Sequence, residues 1–316
     1  MFKHTYQYAY QIELPSVYNN VVNCYLLEYE SHYILIDTGE NTDATKTFWK
    51  ELLLTLQKPI THILLTHIHT DHAGCCSFLS NLLNCQIIAS EQSFKKLQVM
   101  KKSPKNIELL NSAARYGYEY PYTPKHLLDE TEAYNFTITE TFEDGDVLQL
   151  GEANLQTIYT PGHANDQFCF YDAREQILFA SDHLLAEFSP VLIIEENQLN
   201  PLNIYFSSLD KIKYLPTKIC FTGHGRPIEN IVQRIEEIRN RHLQKVEQTK
   251  NILTHFKQIT LESLLLEMYQ KDLTRSSGQL MQLLCHLNYL EEAGDIQVTQ
   301  QDAQTFLAIQ ARNSVS

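Results

Sequence analysis

The chain has 316 residues, 43% of them hydrophobic and 10% aromatic, which is enough for one large core with an appendage. A formal net charge of −13 argues against a phosphate-backbone partner, since binding along nucleic acid needs a surplus of cations. No apolar run reaches the roughly 18 residues that span a bilayer, and the N-terminal MFKHTYQYAYQIELP does not read as a signal peptide, so the expectation is a soluble, cytoplasmic protein.

The seven cysteines (Cys24, Cys75, Cys76, Cys85, Cys169, Cys220 and Cys285) form no C-x-x-C pair and sit mostly in apolar runs. That is the pattern of buried thiols in a reducing compartment, not of a disulfide framework. Along the chain, Val22 to Glu28 and Tyr33 to Ile36 read as strands, the second stopped by the turn signal Asp37-Thr38-Gly39. From Asp43 to Gln57, Ala44, Phe48, Leu52 and Leu56 recur at helical spacing. Ile60 to Thr66 reads as a buried strand, Cys75 to Leu83 as a helix and Gln86 to Ala89 as a short strand.

Residues 92–135 change character. Lys95, Lys96, Lys101, Lys102 and Lys105 precede Arg115-Tyr-Gly-Tyr-Glu-Tyr-Pro-Tyr122, and no strand alternation survives, which predicts a helical insertion with an aromatic loop. Strand signals return from Phe136, through the Glu143-Asp-Gly-Asp turn, to Phe170 and Ile177 to Ala180. From Glu229 through His255 the pattern is helical; Leu261 to Tyr269 and Ser277 to Ala293 add two helices, and Asp295-Ile-Gln-Val-Thr299 reads as a strand. The succession predicts an α/β layered domain over residues 1–228 and a C-terminal helical, winged-helix-like module over 229–316.

The strongest chemical signal is Thr66-His67-Ile68-His69-Thr70-Asp71-His72, placed directly after an apolar strand. Residues two apart in an extended segment point the same way, so His67 and His69 can grip one metal together. Asp71 and His72 lie where the chain turns into the next helix and can reach a second metal. The alternative, a histidine-rich surface loop, predicts no further ligands elsewhere. Yet Thr160-Pro-Gly-His163, Phe179-Ala-Ser-Asp182 and Phe221-Thr-Gly-His224-Gly each close a predicted strand with a small-residue turn and a ligand type.

The set H-x-H-x-D-H, then T-P-G-H, then S-D, then G-H-G resembles the metallo-β-lactamase-fold superfamily over roughly residues 12–230. The resemblance implies an αββα sandwich with two metals at one edge of the sheets. By motif position it implies that His67, His69 and His163 hold the first metal, that Asp71, His72 and His224 hold the second, and that Asp182 bridges them. It also implies a role for Asp37 in hydrogen-bonding the metal-binding loop. Two divalent cations are expected, zinc first, with iron or manganese as alternatives for this imidazole and carboxylate set. Water activated between the cations would attack a carbonyl or phosphoryl centre, with Asp71 as the catalytic residue that orients the nucleophile or carries the proton.

Asp182 stands where the resemblance places cysteine or serine in true β-lactamases, which turns the expectation toward the thioesterase, lactonase and nuclease branches. Asp166, in His163-Ala-Asn-Asp166, either supports a ligand or caps the turn. His183 is a candidate for substrate contact, set against an ordinary packed side chain. Tyr116 and Tyr118, with Tyr120 and Tyr122, are candidates for a lid over the substrate pocket or for a loop packed on the core. His4, His32, His62, His126, His242, His255 and His286 fit no motif position and read as structural or surface residues.

The leading expectation is hydrolysis of a small-molecule carbonyl ester: a thioester, lactone or ester. A single-stranded RNA nuclease is the second reading, with Lys95 to Lys105 as its candidate cationic path. A non-catalytic DNA-binding regulator is the third, although Ser277 to Ala293 contains no lysine or arginine and carries Glu291 and Glu292. Its leucines at 280, 283, 284, 287 and 290 read as a packing face, which suits a pocket wall or a homodimer contact. A persulfide dioxygenase with a single iron is a further alternative.

Overall fold

The computed structural model describes residues 2–17, 20–102, 108–118, 132–192, 194, 200–269 and 277–310. The chain forms two compact units. One is built from residues 1–105, 125–190 and 211–234, the other from 106–124, 191–210 and 235–316.

In the first unit, strands β1 (Phe2–Tyr6), β2 (Ala9–Ser16), β3 (Asn20–Glu28), β4 (Tyr33–Ile36), β5 (Ile60–Leu64), β6 (Gln86–Ser90) and β7 (Glu140–Phe142) form a seven-stranded sheet in chain order. Its first four strands pair antiparallel and the rest parallel. A five-stranded sheet runs in the order β12 (Ile219–Thr222), β11 (Ile177–Ser181), β10 (Phe168–Asp172), β9 (Ala153–Tyr159), β8 (Val147–Leu150).

The seven-stranded sheet is buried on both faces, and the strand period of two divides its side chains between two cores. Cys24 and Leu26 of β3, Leu35 of β4 and Ile63 of β5 join Trp49 and Leu52 of helix α1 (Asp43–Leu53) and Leu79 of helix α3 (Cys76–Leu83). The intervening Tyr25, Leu27, Ile34, Ile36 and Leu64 pack instead on Leu155, Phe168, Phe170, Phe179 and Phe221 of the five-stranded sheet. This continuous burial is why β4 and β5 read as apolar runs without alternation. Helix α1 begins at Thr42, whose hydroxyl accepts the Thr45 N–H at 3.1 Å, and it ends four residues earlier than its spacing suggests; Leu54 beyond it is 87% exposed. The short helix α2 (Thr70–Ala73) carries Asp71 and His72, and α4 (Glu91–Met100) follows β6.

The second unit contains α5 (Glu108–Arg115), most of α6 (Pro201–Lys213) and α7 (Ile231–Thr254), then α8 (Leu261–Tyr269), α9 (Ser277–Glu292) and the hairpin of β13 (Ile296–Gln301) and β14 (Gln304–Ile309). Between α7 and α8, Ile259 bridges to Leu307 of β14. The leucines expected to pack, Leu280, Leu283, Leu284, Leu287 and Leu290, are all buried.

No helix among the described residues is long and apolar enough to cross a membrane.

Candidate metal centre

The seven ligand-type residues converge at one edge of the first unit, each from the C-terminal end of a strand. His67, His69, Asp71 and His72 follow β5, His163 follows β9, Asp182 follows β11 and His224 follows β12. They fall into two groups, His67–His69–His163 and Asp71–His72–Asp182–His224. In the first, His69 Nδ1 lies 3.0 Å from His67 Nε2 and 2.9 Å from His163 Nε2. In the second, His224 Nε2 lies 3.4 Å from Asp71 Oδ2 and 3.3 Å from Asp182 Oδ2, and His72 Nε2 lies 3.4 Å from Asp182 Oδ1. Asp182 Oδ2 is also 3.5 Å from His163 Nε2, so one carboxylate faces both groups.

A surrounding layer fixes which ring nitrogen points inward. His224 Nδ1 donates to the Val21 carbonyl at 2.6 Å, and His72 Nδ1 faces Asp37 Oδ2 at 2.8 Å, which leaves both Nε2 atoms toward the cluster. Asp37 also accepts the Thr66 N–H at 3.0 Å and the Thr66 hydroxyl at 2.8 Å. The Thr66 oxygen lies 3.0 Å from His67 Nδ1, where it can accept that ring's proton. Asp37 and Ser181 both have left-handed backbones, φ 58° and 46°, an arrangement unfavourable for non-glycine residues and held here by the bonds around them.

The two groups differ electrostatically. Burial, then the neighbouring imidazoles, pushes His67 well below the ordinary histidine range. Burial, then His163 and Lys96, pushes His69 down to about 3. His67 and His69 therefore meet His163 as uncharged imidazoles with lone pairs to donate. In the second group burial opposes every charge, but the charges sustain one another. Asp182, Asp71 and Asp37 outweigh burial to raise His72 well above its usual value, and Asp182 and Asp71 carry His224 up to about 10. Conversely, His224 and His72 hold Asp182 well below the carboxylate range, and Asp71 is lowered in the same way.

Among the described residues, His72 Nε2, His224 Nε2 and Asp182 Oδ1 are buried polar atoms with no hydrogen-bond partner. Such atoms cost free energy unless something outside the chain satisfies them. The backbone leaves room at this point: a Cβ on Gly223 would collide with Asp182 Oδ1 and sit 3.0 Å from His72 Cε1. Imidazole nitrogens and carboxylate oxygens with buried, unsatisfied atoms are a donor set for divalent metal ions.

Asp166 is 1% exposed, and its carboxylate accepts the Ile68 N–H at 2.9 Å, so it supports the histidine loop directly. His183 is buried, and its backbone N–H donates to the Ala180 carbonyl at 3.0 Å. Tyr116 and Tyr118 belong to the second unit. There Tyr116 is 1% exposed, with its hydroxyl donating to Glu291 at 3.0 Å, and Tyr118 is half-buried, with its N–H donating to the Ala113 carbonyl at 3.1 Å. Tyr120, Tyr122, His126 and Lys105 lie outside the described residues. Of the other lysines, Lys95 pairs with Glu91 at 3.4 Å and Lys96 with Asp166 at 3.0 Å. Thr66, Ser93, Lys96 and Gly223 shape the site without being ligand types. Thr66 and Gly223 lie within the quoted motifs, and Ser90, Ser93 and Lys96 recur every three residues from the first residue of α4's cap onward, a helical-face spacing that was there to be read.

Comparison with known proteins agrees with this geometry. Residues 17–224 match the family model of the metallo-beta-lactamase superfamily. Over 239 residues the chain is 26% identical to a beta-lactamase-like protein 2 homolog of Caenorhabditis elegans, covering 75% of this chain and 67% of that protein. It is also 26% identical over 219 residues to an atrochrysone carboxyl ACP thioesterase of Aspergillus fumigatus, covering 68% of this chain but only 54% of the relative. The chain thus spans about half the length of that thioesterase. A solved metallo-beta-lactamase family protein from Thermus thermophilus superposes with a TM-score of 0.82 at 26% identity, covering 96% of this chain and 99% of the other. A beta-lactamase domain protein from Burkholderia ambifaria shares the fold, with a TM-score of 0.83 at 18% identity over 98% and 93% of the two chains. From its strand-end ligands to its matched span, the chain belongs to the metallo-beta-lactamase superfamily, a superfamily of metallohydrolases.

Proposed function

We propose that this protein is a two-metal hydrolase of carbonyl esters, with thioesters as its first substrate class and lactones and simple esters next. The observation that carries the reading is Asp182, whose Oδ2 stands 3.5 Å from His163 and 3.3 Å from His224, between a three-histidine group and an aspartate–histidine group. His67, His69 and His163 would hold one divalent cation, Asp71, His72 and His224 the other, with Asp182 shared. When bound, the cations would supply activated water near neutral pH and polarise the substrate oxygen.

The chain's own residues do the rest. Asp37, Thr66 and the Val21 carbonyl orient the imidazoles; the Asp71 carboxylate would orient the nucleophile and take up the proton it gives up. A thiolate, the conjugate base of a thiol with a pKa near 8.5, leaves with little help from an acid, whereas an alkoxide needs a full proton. That favours thioesters, and the thioesterase relative points the same way. The lysine path required for an RNA nuclease is weakened by the pairing of Lys95 with Glu91 and Lys96 with Asp166.

The winged-helix reading of residues 229–316 is supported by the order α7, the Ile259 bridge, α8, α9 and the β13–β14 hairpin. Unpaired cysteines throughout support a reducing, cytoplasmic setting. The 316-residue chain loaded with zinc, iron or manganese should cleave short-chain acyl thioesters faster than the matching oxygen esters, and Asp182→Asn should abolish both. Loaded protein inert toward thioesters, lactones and esters alike would end the substrate proposal, while loss of metal in Asp182→Asn would still support the two-metal centre.

A further inference from the structure

Asp166 closes the turn that begins at His163, and its buried carboxylate is fully engaged. Oδ2 accepts the Ile68 N–H and the Ser93 hydroxyl, each at 2.9 Å, and Oδ1 accepts the Lys96 ammonium at 3.0 Å. Ile68 lies between His67 and His69, and its side chain is itself buried. Ser93 and Lys96 stand one turn apart on α4, where the Ser90 hydroxyl caps the helix by accepting the Ser93 N–H at 3.0 Å. One carboxylate thereby joins three pieces of chain: the His163 turn through its own backbone, the His67–His69 peptide through Ile68, and α4 through two side chains.

The tolerance at this junction is small. His69 Nδ1 is 3.0 Å from His67 Nε2 and 2.9 Å from His163 Nε2, and these three nitrogens reach one another from loops after β5 and β9. A shift of the Ile68 peptide moves both neighbouring histidines relative to His163. An ionised acceptor holds a backbone donor more tightly than a neutral one, and Lys96 keeps that charge balanced in a buried place.

We propose that Asp166 is a positioning residue for the three-histidine group, fixing His163 relative to His67 and His69 through its bond to the Ile68 N–H. This rests on the two-metal reading above. The competing role is an anchor for α4 alone, and the two make different demands. Anchoring works through Ser93 and Lys96; positioning works through Ile68.

Zinc binding to the 316-residue chain separates them, with equivalents counted by elemental analysis and affinities taken from competition with a chromogenic chelator. In Asp166→Asn, one of two zinc equivalents should weaken roughly 10- to 100-fold, the usual effect of losing a partner that orients a ligand, while the other stays at its original affinity. Asp166→Glu keeps the ion pair to Lys96 but displaces the carboxylate by one methylene; it should lose the same equivalent, and it serves where Asp166→Asn does not fold. Ser93→Ala, which loosens the contact with α4 but leaves Lys96 to balance the carboxylate, should keep both equivalents. Cobalt substitution gives a second readout, a changed ligand-field spectrum for the affected ion only.

Wild-type affinity for both equivalents in the Asp166 variants would overturn the proposal and leave the two-metal centre standing. Equal loss in Ser93→Ala would overturn it in favour of anchoring. Wild-type protein that takes up fewer than two equivalents of zinc, iron or manganese would remove the two-metal reading and this inference together.

Discussion

Replacing Gly223 by alanine adds a single methyl-sized group at the most crowded point of the metal centre. The new Cβ would collide with Asp182 Oδ1 and lie 3.0 Å from His72 Cε1. The Gly223 peptide cannot retreat, because its N–H donates to the Ser181 carbonyl at 2.8 Å and its carbonyl accepts the Asn23 N–H at 2.7 Å. The strain therefore falls on the Asp182 carboxylate, which must swing away by about 1 Å, a displacement that typically costs on the order of 100-fold in turnover. Overpacking of this kind costs roughly 1–3 kcal/mol of stability, so the variant should still fold. Gly145→Ala is the control: φ is 89° with nothing within 4 Å of a Cβ, so it strains the backbone without touching the cluster. Zinc titration, thermal melting and thioester turnover on both variants give the comparison. The expected result is lower zinc affinity and turnover in Gly223→Ala alone. Wild-type zinc affinity and turnover in that variant would refute the reasoning from the Asp182 geometry.

Three further outcomes are expected. His242 and His286 of the second unit lie buried with Nδ1 and Nε2 3.2 Å apart, and burial lowers them to about 4 and about 3, so they are neutral when folded and protonated when unfolded in mild acid. Their depressed values mean that stability present above pH 6.5 is lost as pH falls from 6.5 toward 4, by between about 1.4 and 2.7 kcal/mol per unit; urea unfolding at pH 7 and pH 5 should show this, and replacing both residues by apolar ones should flatten it. Chelating the metal should lower the melting temperature, since cation present at about 1,000 times its Kd stabilises the folded state by about 4 kcal/mol; an unchanged melting curve would argue against ligation by the buried cluster. Trp49→Ala removes the largest side chain of the helix–sheet core and its 2.8 Å bond to the Thr38 carbonyl, so denaturant unfolding should show a loss of about 3–5 kcal/mol.

Much of the centre was legible because each ligand follows an apolar strand, and strands β5, β9, β11 and β12 are buried enough to leave a clear trace in the sequence. What escaped depends on contacts distant in the chain. β2 leaves no clean apolar signal because Gln11 interrupts its pattern; Gln11 is buried, and its amide donates to Asn23 Oδ1 at 2.9 Å and to the Gly225 carbonyl at 3.2 Å. Helix α6 did leave a trace, with Leu202, Tyr205, Phe206, Leu209 and Ile212 at helical spacing behind Pro201 at its first position, and Asn200 Oδ1 accepting the Asn203 N–H at 3.1 Å. The burial of Tyr116 against Glu291 joins residues far apart in sequence, which no local pattern encodes.

Strand-end placement of the ligands also sets a timetable for the newborn chain. The three histidines of the first group have all been synthesised once His163 is made, whereas the aspartate–histidine group waits for His224. A chain cut between these points would carry the first group's imidazoles without completing the second. In the two-metal reading, double loading would therefore require that the strands of both sheets are in place.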